Sequence, residues 1–257
     1  MTAVDRGTAH HDLPLGGRDE GGRERTTPAE STGRAEIPLL DAIRGHERTS
    51  AFIAAADEFL AAQGFTEHGF RHANLVGHIA FNVLTHLGHD FHQAQLAAVA
   101  GYLHDIGNVV SRAYHGQTGA VLAFDALKEL DVEPRDIAQI LTAIGNHEED
   151  YGVAVSPVAA AVILADKSDV HRSRVRDGRE VDLAVDIHDR VNYAVESSFL
   201  RVDPNDRTLT LELAIDTEIS RVLEYFEIFL ERMVMCRRAA RTLGCAFKIT
   251  VNGSDML

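Results

Sequence analysis

The chain is poor in the features that mark several large classes of protein. Only two of its 257 residues are cysteine, Cys236 and Cys245. Their spacing matches neither a thiolate zinc site nor a redox pair, so a reduced, cytoplasmic protein is expected. No run approaches the roughly 20 apolar residues needed to cross a bilayer, which predicts no membrane partner. The opening stretch, MTAVDRGTAHHDLPLGGRDEGG, lacks the apolar core of a secretory signal. Basic residues are outnumbered, 25 Lys and Arg against 39 Asp and Glu, for a formal net charge of -14. Phosphate backbones are held by clustered cations, so general nucleic-acid binding is not expected. An anionic substrate would depend on local cations or on metal. No internal repeat is found.

Hydrophobic residues make up 45% of the chain, ordinary for a soluble globular protein and enough for one large domain. They are unevenly placed. Residues 1–35 are rich in Gly, Arg, Glu, Asp, Thr and Ser, too polar to offset the entropy of ordering, and read as a disordered tail in which His10 and His11 are solvated. Residues 36–195 read as successive helices, with Pro134 and Pro157 at first-turn positions and Gly64 and Gly88 as stops. Within this part the periodicity places a helix from Pro134 to about Asn146 and another around Leu183 to Val195. Beyond Val195 the period changes. Ser197–Val202, Leu209–Ile215 and Phe247–Val251 have strand character, and a long amphipathic helix lies before the last of them. Ile219, Val222, Leu223, Phe226, Phe229, Leu230, Met233, Cys236, Ala240 and Leu243 are its expected apolar face. The fold class predicted is mainly α, a compact helical domain with a small C-terminal α+β appendage of antiparallel strands and one long helix at residues 196–257. That helix covers its own protein or serves a homodimer.

Chemistry is concentrated in ionisable residues at the ends of apolar runs. Leu96 to Leu103 is almost uninterrupted by polar side chains and leads straight into His104 and Asp105. An unpaired carboxylate in an apolar interior costs several kcal/mol, so such a pair calls for a partner. Asp166 repeats the anomaly after Ala159 to Ala165, and His147 follows Ile137, Ile140, Leu141 and Ile144 at helical spacing. At 100° per residue, His72 shares a face with Leu75, Val76, Ile79 and Val83, whereas His78 lies with Asn82 and Thr85 on the polar side. His86 is about 21 Å from His72 along the helix, too far to share an ion, and His89 and His92 fall in a solvated break. His115 opens a helix after a loop. Singly, each of these residues is a satisfied core group or a cap. Their recurrence on four or five helices of one domain points to a metal site, because imidazole and carboxylate are both ligands for divalent metals.

In their contexts, Arg71-His72-Ala73-Asn74, Leu103-His104-Asp105-Ile106-Gly107 and Leu164-Ala165-Asp166-Lys167, these residues resemble the H…HD…D signature of the HD-domain metal-dependent phosphohydrolase superfamily, over about residues 68–176. The resemblance implies that His72, His104, Asp105 and Asp166 bind one metal. It further implies that His115 and His147 correspond to the added histidines of two-metal members, in which Asp105 would bridge. Asn146 to Gly152 departs from the double histidine and Gly-Tyr-Pro motif of members that cleave cyclic di-GMP. Nothing in this sequence resembles the synthetase domain that usually accompanies the alarmone hydrolases. HD-type hydrolases of dinucleoside tetraphosphates are nearer in spacing but lack such a C-terminal appendage.

The chemistry this implies is attack of a metal-activated hydroxide on a nucleotide or another small phosphate ester or anhydride, with one or two divalent ions among Mn, Fe, Co, Ni, Zn and Mg. Arg71, Lys167, Arg172, Arg174 and Arg176 flank ligand positions and are candidate substrate-binding cations, the first three foremost, and their alternative is a solvated basic face. Glu148, Glu149 and Asp150 are candidates for orienting water or a ligand histidine. Two other functions stay open: a di-iron oxygenase built on the same six ligands, and a regulatory module that binds metal or nucleotide without catalysis.

Overall fold

Proline and glycine punctuate the helical part of the chain. The computed structural model describes residues 36–176 and 187–256. Its helices are α1 (Pro38–Gly45), α2 (Glu47–Ala62), α3 (Phe70–His86), α4 (Phe91–Leu103), α5 (His115–Glu129), α6 (Pro134–Gly145), α7 (Pro157–Ser168) and α8 (Ile187–Ala194). Pro38, Pro134 and Pro157 each open a helix, where the missing N–H costs nothing. Asp90 and Ser156 cap α4 and α7 by accepting from the N–H groups of Gln93 and Ala159. The polar tail at residues 1–35, with His10 and His11, and the expected helix start at Leu183 lie outside the described residues. Among the described residues, no helix is long and apolar enough to cross a membrane.

α4 and α7 form the centre. Every residue from Leu96 to Leu103 and from Val158 to Ser168 is buried, the expected fate of helices that are apolar all round. α3 packs directly on α4 through two glycines. A Cβ on Gly77 would sit 2.9 Å from the carbonyl oxygen of Ala98, and one on Gly101 would sit 3.1 Å from that of Val76. This near contact of backbones is what carries His72 on α3 to His104 at the end of α4. Leu75, expected on the core side with His72, is instead 37% exposed, because it borders an open groove between α3 and the first strand.

The C-terminal part contains β1 (Val195–Asp203), β2 (Thr208–Ile215), α9 (Val222–Thr242), β3 (Ala246–Val251) and the two-residue β4 (Ser254–Asp255), in sheet order β1-β2-β3-β4. β1 and β2 pair antiparallel, as do β3 and β4. The turn between β3 and β4 is Asn252-Gly253, with φ of 50° and 77°, the left-handed pair that a two-residue hairpin needs. The sheet is nonetheless mixed rather than antiparallel, because β2 and β3 run parallel, with Thr208 beside Ala246 and Leu213 beside Val251. α9 is the reason. Its 21 residues span about 31 Å and return the chain along the sheet, so β3 enters in the direction of β2. The apolar face of α9 is also corrected. Leu223 and Leu230 are 67% and 56% exposed, while Tyr225, Met235 and Ala239 are buried. α9 lies against α7 as well as β3, so its covered surface is turned from the face that periodicity alone picks out.

Candidate metal centre

Local backbone features aim each ionisable group inward. α4 ends at Leu103, and His104 and Asp105 form the turn into a short 3-10 segment, Ile106–Val109. Gly107 in that turn rests on α5, where a Cβ would meet the carbonyl oxygen of His115 at 2.0 Å and the N of Gly119 at 2.4 Å. Only glycine permits that approach. Tyr114 adopts the left-handed conformation at φ 58° and swings the chain so that His115, the first residue of α5, is buried. Asp166 lies in the last turn of α7. His147, expected at the end of a helix face, stands two residues beyond the end of α6 and is held there by its Nδ1 donating to the carbonyl of Ile144 at 2.6 Å.

All four histidines are oriented in the same way. The Nδ1 of His72 donates to Asp169 Oδ2 at 2.7 Å, that of His104 to the Gly101 carbonyl at 2.7 Å, and that of His115 to the Arg112 carbonyl at 3.0 Å. With every Nδ1–H so used, the neutral rings present bare Nε2 atoms to one another. These meet in pairs, His72 with His104 at 3.2 Å and His115 with His147 at 3.0 Å. Two facing lone pairs repel unless a positive charge lies between them.

Carboxylates complete each pair. Asp166 Oδ1 is 3.4 Å from His72 Nε2 and 3.5 Å from His104 Nε2, and Asp105 Oδ2 is 3.6 and 3.3 Å from the same two atoms. On the other side Asp105 Oδ1 is 3.0 Å from His115 Nε2, and Glu148 Oε1 is 3.1 and 3.3 Å from the Nε2 atoms of His115 and His147. Asp105 thus offers one oxygen to each histidine pair. Its Oδ2 is buried without a hydrogen-bond partner, an expense that a bound cation removes. The groups His72, His104, Asp166 and His115, His147, Glu148 each have ligand atoms within 4.8 Å of one another, and so could hold metal ions. No thiolate competes. Burial pushes the Cys236 thiol up to about 12, and the donor set is nitrogen and oxygen only.

The charges respond to this crowding. Burial opposes protonation of His104, but Asp105 and Asp166 outweigh it and raise its pKa to about 10. Burial likewise opposes a charged His115, yet bonding to Asp105 and Glu148 raises it to about 9. Burial lowers His147. Asp105 and Asp166 resist the upward push of burial and are held well below the usual carboxylate range, Asp105 chiefly by His104 and Asp166 chiefly by Lys167. Without metal, then, the facing carboxylates favour the protonated form of His104 and of His115. Each such proton stands where a divalent ion fits.

Around this cluster lies a ring of supporting charges. Asp169 accepts from His72 and from Arg71 Nη2 at 3.0 Å, and its main-chain carbonyl accepts from Arg174 Nη1 at 2.7 Å. Such a carboxylate behind a histidine fixes the ring and strengthens it as a donor to metal. Lys167 is buried with Nζ at 2.7 Å from Asp166 Oδ2 and 3.1 Å from Glu149 Oε2, and these acids raise its pKa against burial.

The structure therefore gathers His72, His104, Asp105, His115, His147 and Asp166 into one cluster. The three foremost basic candidates do not share one position. Lys167 backs the cluster, Arg71 lies one layer out between Glu67 and Asp169, and Arg172 points away to Glu196 at 3.1 Å and over the Tyr193 ring. Three residues that pattern reading does not assign to the site, Asp169, His68 and Arg112, stand beside it. Asp169 is one turn past Asp166, a second buried acid that could have been noticed. His68 is one turn before His72, and its Nε2 accepts from Arg174 Nη2 at 2.9 Å. Arg174, one of the candidate cations, is buried between that histidine and the Asp169 carbonyl. Arg112 carried no signal at all. A cleft of about 360 Å³ is lined by Phe65, His68, Arg112, Arg174, Asn192 and Phe229 among others; none of the candidate ligands lines it, and it approaches the cluster through His68, beside His72, and Arg112, beside His115.

Against this geometry, the HD-domain family model matches residues 69–200, just over half of the chain. The chain belongs to the HD-domain family. No curated protein matches it.

Proposed function

We propose that this protein is a metal-dependent phosphohydrolase acting on a nucleotide or another small phosphate ester or anhydride. One observation carries the reading: Asp105 divides its two oxygens between two histidine pairs whose Nε2 atoms are all turned inward. His72, His104, Asp166 and Asp105 would hold one ion, and His115, His147, Glu148 and Asp105 a second. When bound, such ions polarise phosphoryl oxygens and bring the pKa of water toward about 7. A donor set of imidazole and carboxylate suits Mn, Fe, Co, Ni, Zn or Mg.

The chain's own residues supply the rest. The Nδ1–H bonds fix the rings with Nε2 aimed inward, which lowers the cost of assembling the site. The histidines are sealed at 0–1% side-chain exposure, whereas Asp105 and Asp166 keep 11% and Glu148 15%, so a substrate reaches the cluster over its carboxylates. Phosphate oxygens approaching that acidic rim need neutralisation, and Arg112, with Nη1 3.4 Å from His115 Nε2, is the cleft-lining arginine beside the cluster.

The test couples elemental analysis of protein purified without chelator to a hydrolysis panel of nucleotides and a generic phosphodiester with added Mn, Mg or Ni. Bound metal with metal-dependent release of phosphate or nucleotide, abolished by Asp105→Ala, is the expected result. Bound iron with oxygen consumption and no hydrolysis would replace this reading with the oxygenase, and absence of metal under every condition would remove the site.

A further inference from the structure

Among the described residues, six cations lie at or near the metal centre, and five are already committed. Lys167 is held by Asp166 and Glu149, Arg71 by Glu67 and Asp169, and Arg232 by Glu149 at 2.9 Å. Arg174 is buried between the Asp169 carbonyl and His68, and Arg172 pairs with Glu196 outside the cluster. Arg112 differs. Among the described residues it makes no ion pair with a carboxylate, although Asp105 and Glu148 are near enough to stabilise its charge. Its guanidinium is stationed over the Phe65 ring, 5.7 Å from the centroid, with Nη1 3.4 Å from His115 Nε2. At that distance the contact to His115 is weak, and the planar fork is left available to bond an oxyanion. Arg112 also lines the cleft that approaches the cluster, so it stands between the reacting centre and the space open to a ligand.

We propose that Arg112 is the phosphate-binding arginine of this enzyme and that the cleft between Phe65, Asn192 and Phe229 takes the organic part of a small phosphomonoester. The inference rests on the hydrolase reading above. A volume of about 360 Å³ lies at the low end of small-molecule sites, which span roughly 300–1,000 Å³, and suits one compact group rather than a polymer strand. The number of free oxygens selects the monoester. A diester has two non-bridging oxygens, and ions held on either side of Asp105 would engage both. A terminal phosphate has a third, and Arg112 is placed to receive it. The Phe65 ring beneath the guanidinium and the contact to His115 restrict the fork, so less side-chain freedom is lost on binding.

The experiment uses full-length protein loaded with Mn2+. Metal content, calorimetric affinity for inorganic phosphate, and hydrolysis of para-nitrophenyl phosphate and its bis-ester are measured for wild type, Arg112→Gln and Arg112→Lys. Arg112→Gln should keep its metal content, bind phosphate about 10- to 100-fold more weakly and show a raised KM for the monoester. Arg112→Lys, which keeps charge but loses the fork, should fall between the two. Phosphate affinity of Arg112→Gln within twofold of a hydrolytically active wild type overturns the role of Arg112. Faster hydrolysis of the bis-ester than of the monoester overturns the substrate class. A wild type that cleaves neither ester, in which Arg112→Gln still loses phosphate binding, leaves Arg112 as the anion site and removes the hydrolase reading instead.

Discussion

The substitution Asp169→Asn should weaken metal binding by about 10- to 100-fold while the protein stays folded. Asp169 touches none of the inward-facing Nε2 atoms. It acts from behind, accepting the His72 Nδ1–H at 2.7 Å and Arg71 Nη2 at 3.0 Å in a buried position. An amide of the same shape keeps an acceptor for His72 but removes the negative charge. A hydrogen bond to a charged acceptor is roughly twice as strong as a neutral one, a difference of about 1–2 kcal/mol. At 1.4 kcal/mol per decade, that alone weakens the metal by about 5- to 30-fold. The remainder comes from Arg71 and Arg174, whose uncompensated charges would then face a cation. Arg71 keeps Glu67 and Arg174 keeps the position-169 carbonyl, so the fold should survive with a loss of about 1–3 kcal/mol. Titration of metal-free protein with Mn2+ in competition with a chelating dye measures the affinity, and a thermal melt reports the fold. Wild-type affinity, within twofold, in a folded variant would refute the argument that Asp169 tunes His72.

Four further outcomes are expected. Gly107→Ala drives a Cβ into the backbone of α5 at His115 and Gly119, neither of which can rotate away. It should cost about 3 kcal/mol or more and lower Tm by roughly 6–12 °C; an unchanged melt would mean that the contact is not held in solution. Glu148→Gln should leave the His72, His104 and Asp166 group intact while weakening the other, so metal content should fall from about two equivalents toward one by elemental analysis. Full retention of both ions would exclude Glu148 as a ligand. Removing metal should expose a pH dependence. His104 and His115, with folded pKa values of about 10 and about 9 against 6.5 for the free side chain, contribute stability that is complete below pH 6.5 and lost as pH rises through those values. Asp105, Asp166 and Glu148 are shifted down, so their contribution is present above the ordinary carboxylate range and lost in acid. Chelated protein should therefore melt at falling temperature from pH 6.5 to 10. Metal binding at pH 7 should release close to two protons, read as buffer-dependent heat; a heat independent of buffer would contradict protonated His104 and His115.

What the sequence disclosed about this site follows from which cues are local. His104, Asp105 and Asp166 are legible because each interrupts an apolar run, and a charge in such a place needs a reason that can be read without the fold. His72 is legible through helical periodicity. His147 is less so, since it lies past the end of α6 and only its order in the chain relates it to His115. The parallel pairing of β2 and β3 was hidden because direction depends on the length and path of α9 rather than on strand pattern. Leu223 and Leu230 misled for a related reason, as periodicity reports a face and not the two neighbours that compete to cover it. Arg112 is the extreme case. Its context, Val109-Val110-Ser111-Arg112-Ala113, is an unremarkable loop, and a lone arginine in a loop reads as solvated. Its position depends on three separate facts: Gly107 lets the preceding turn lie on α5, Tyr114 reverses the chain, and Phe65 from the end of α2 supplies the ring beneath the guanidinium. Flanking cations such as Arg71 and Arg172 look more like ligands for phosphate in the linear sequence because they sit beside the motif. In three dimensions that same proximity delivers them to Asp169 and Glu196, and the arginine still able to bind an anion is one brought in by the path of the loop.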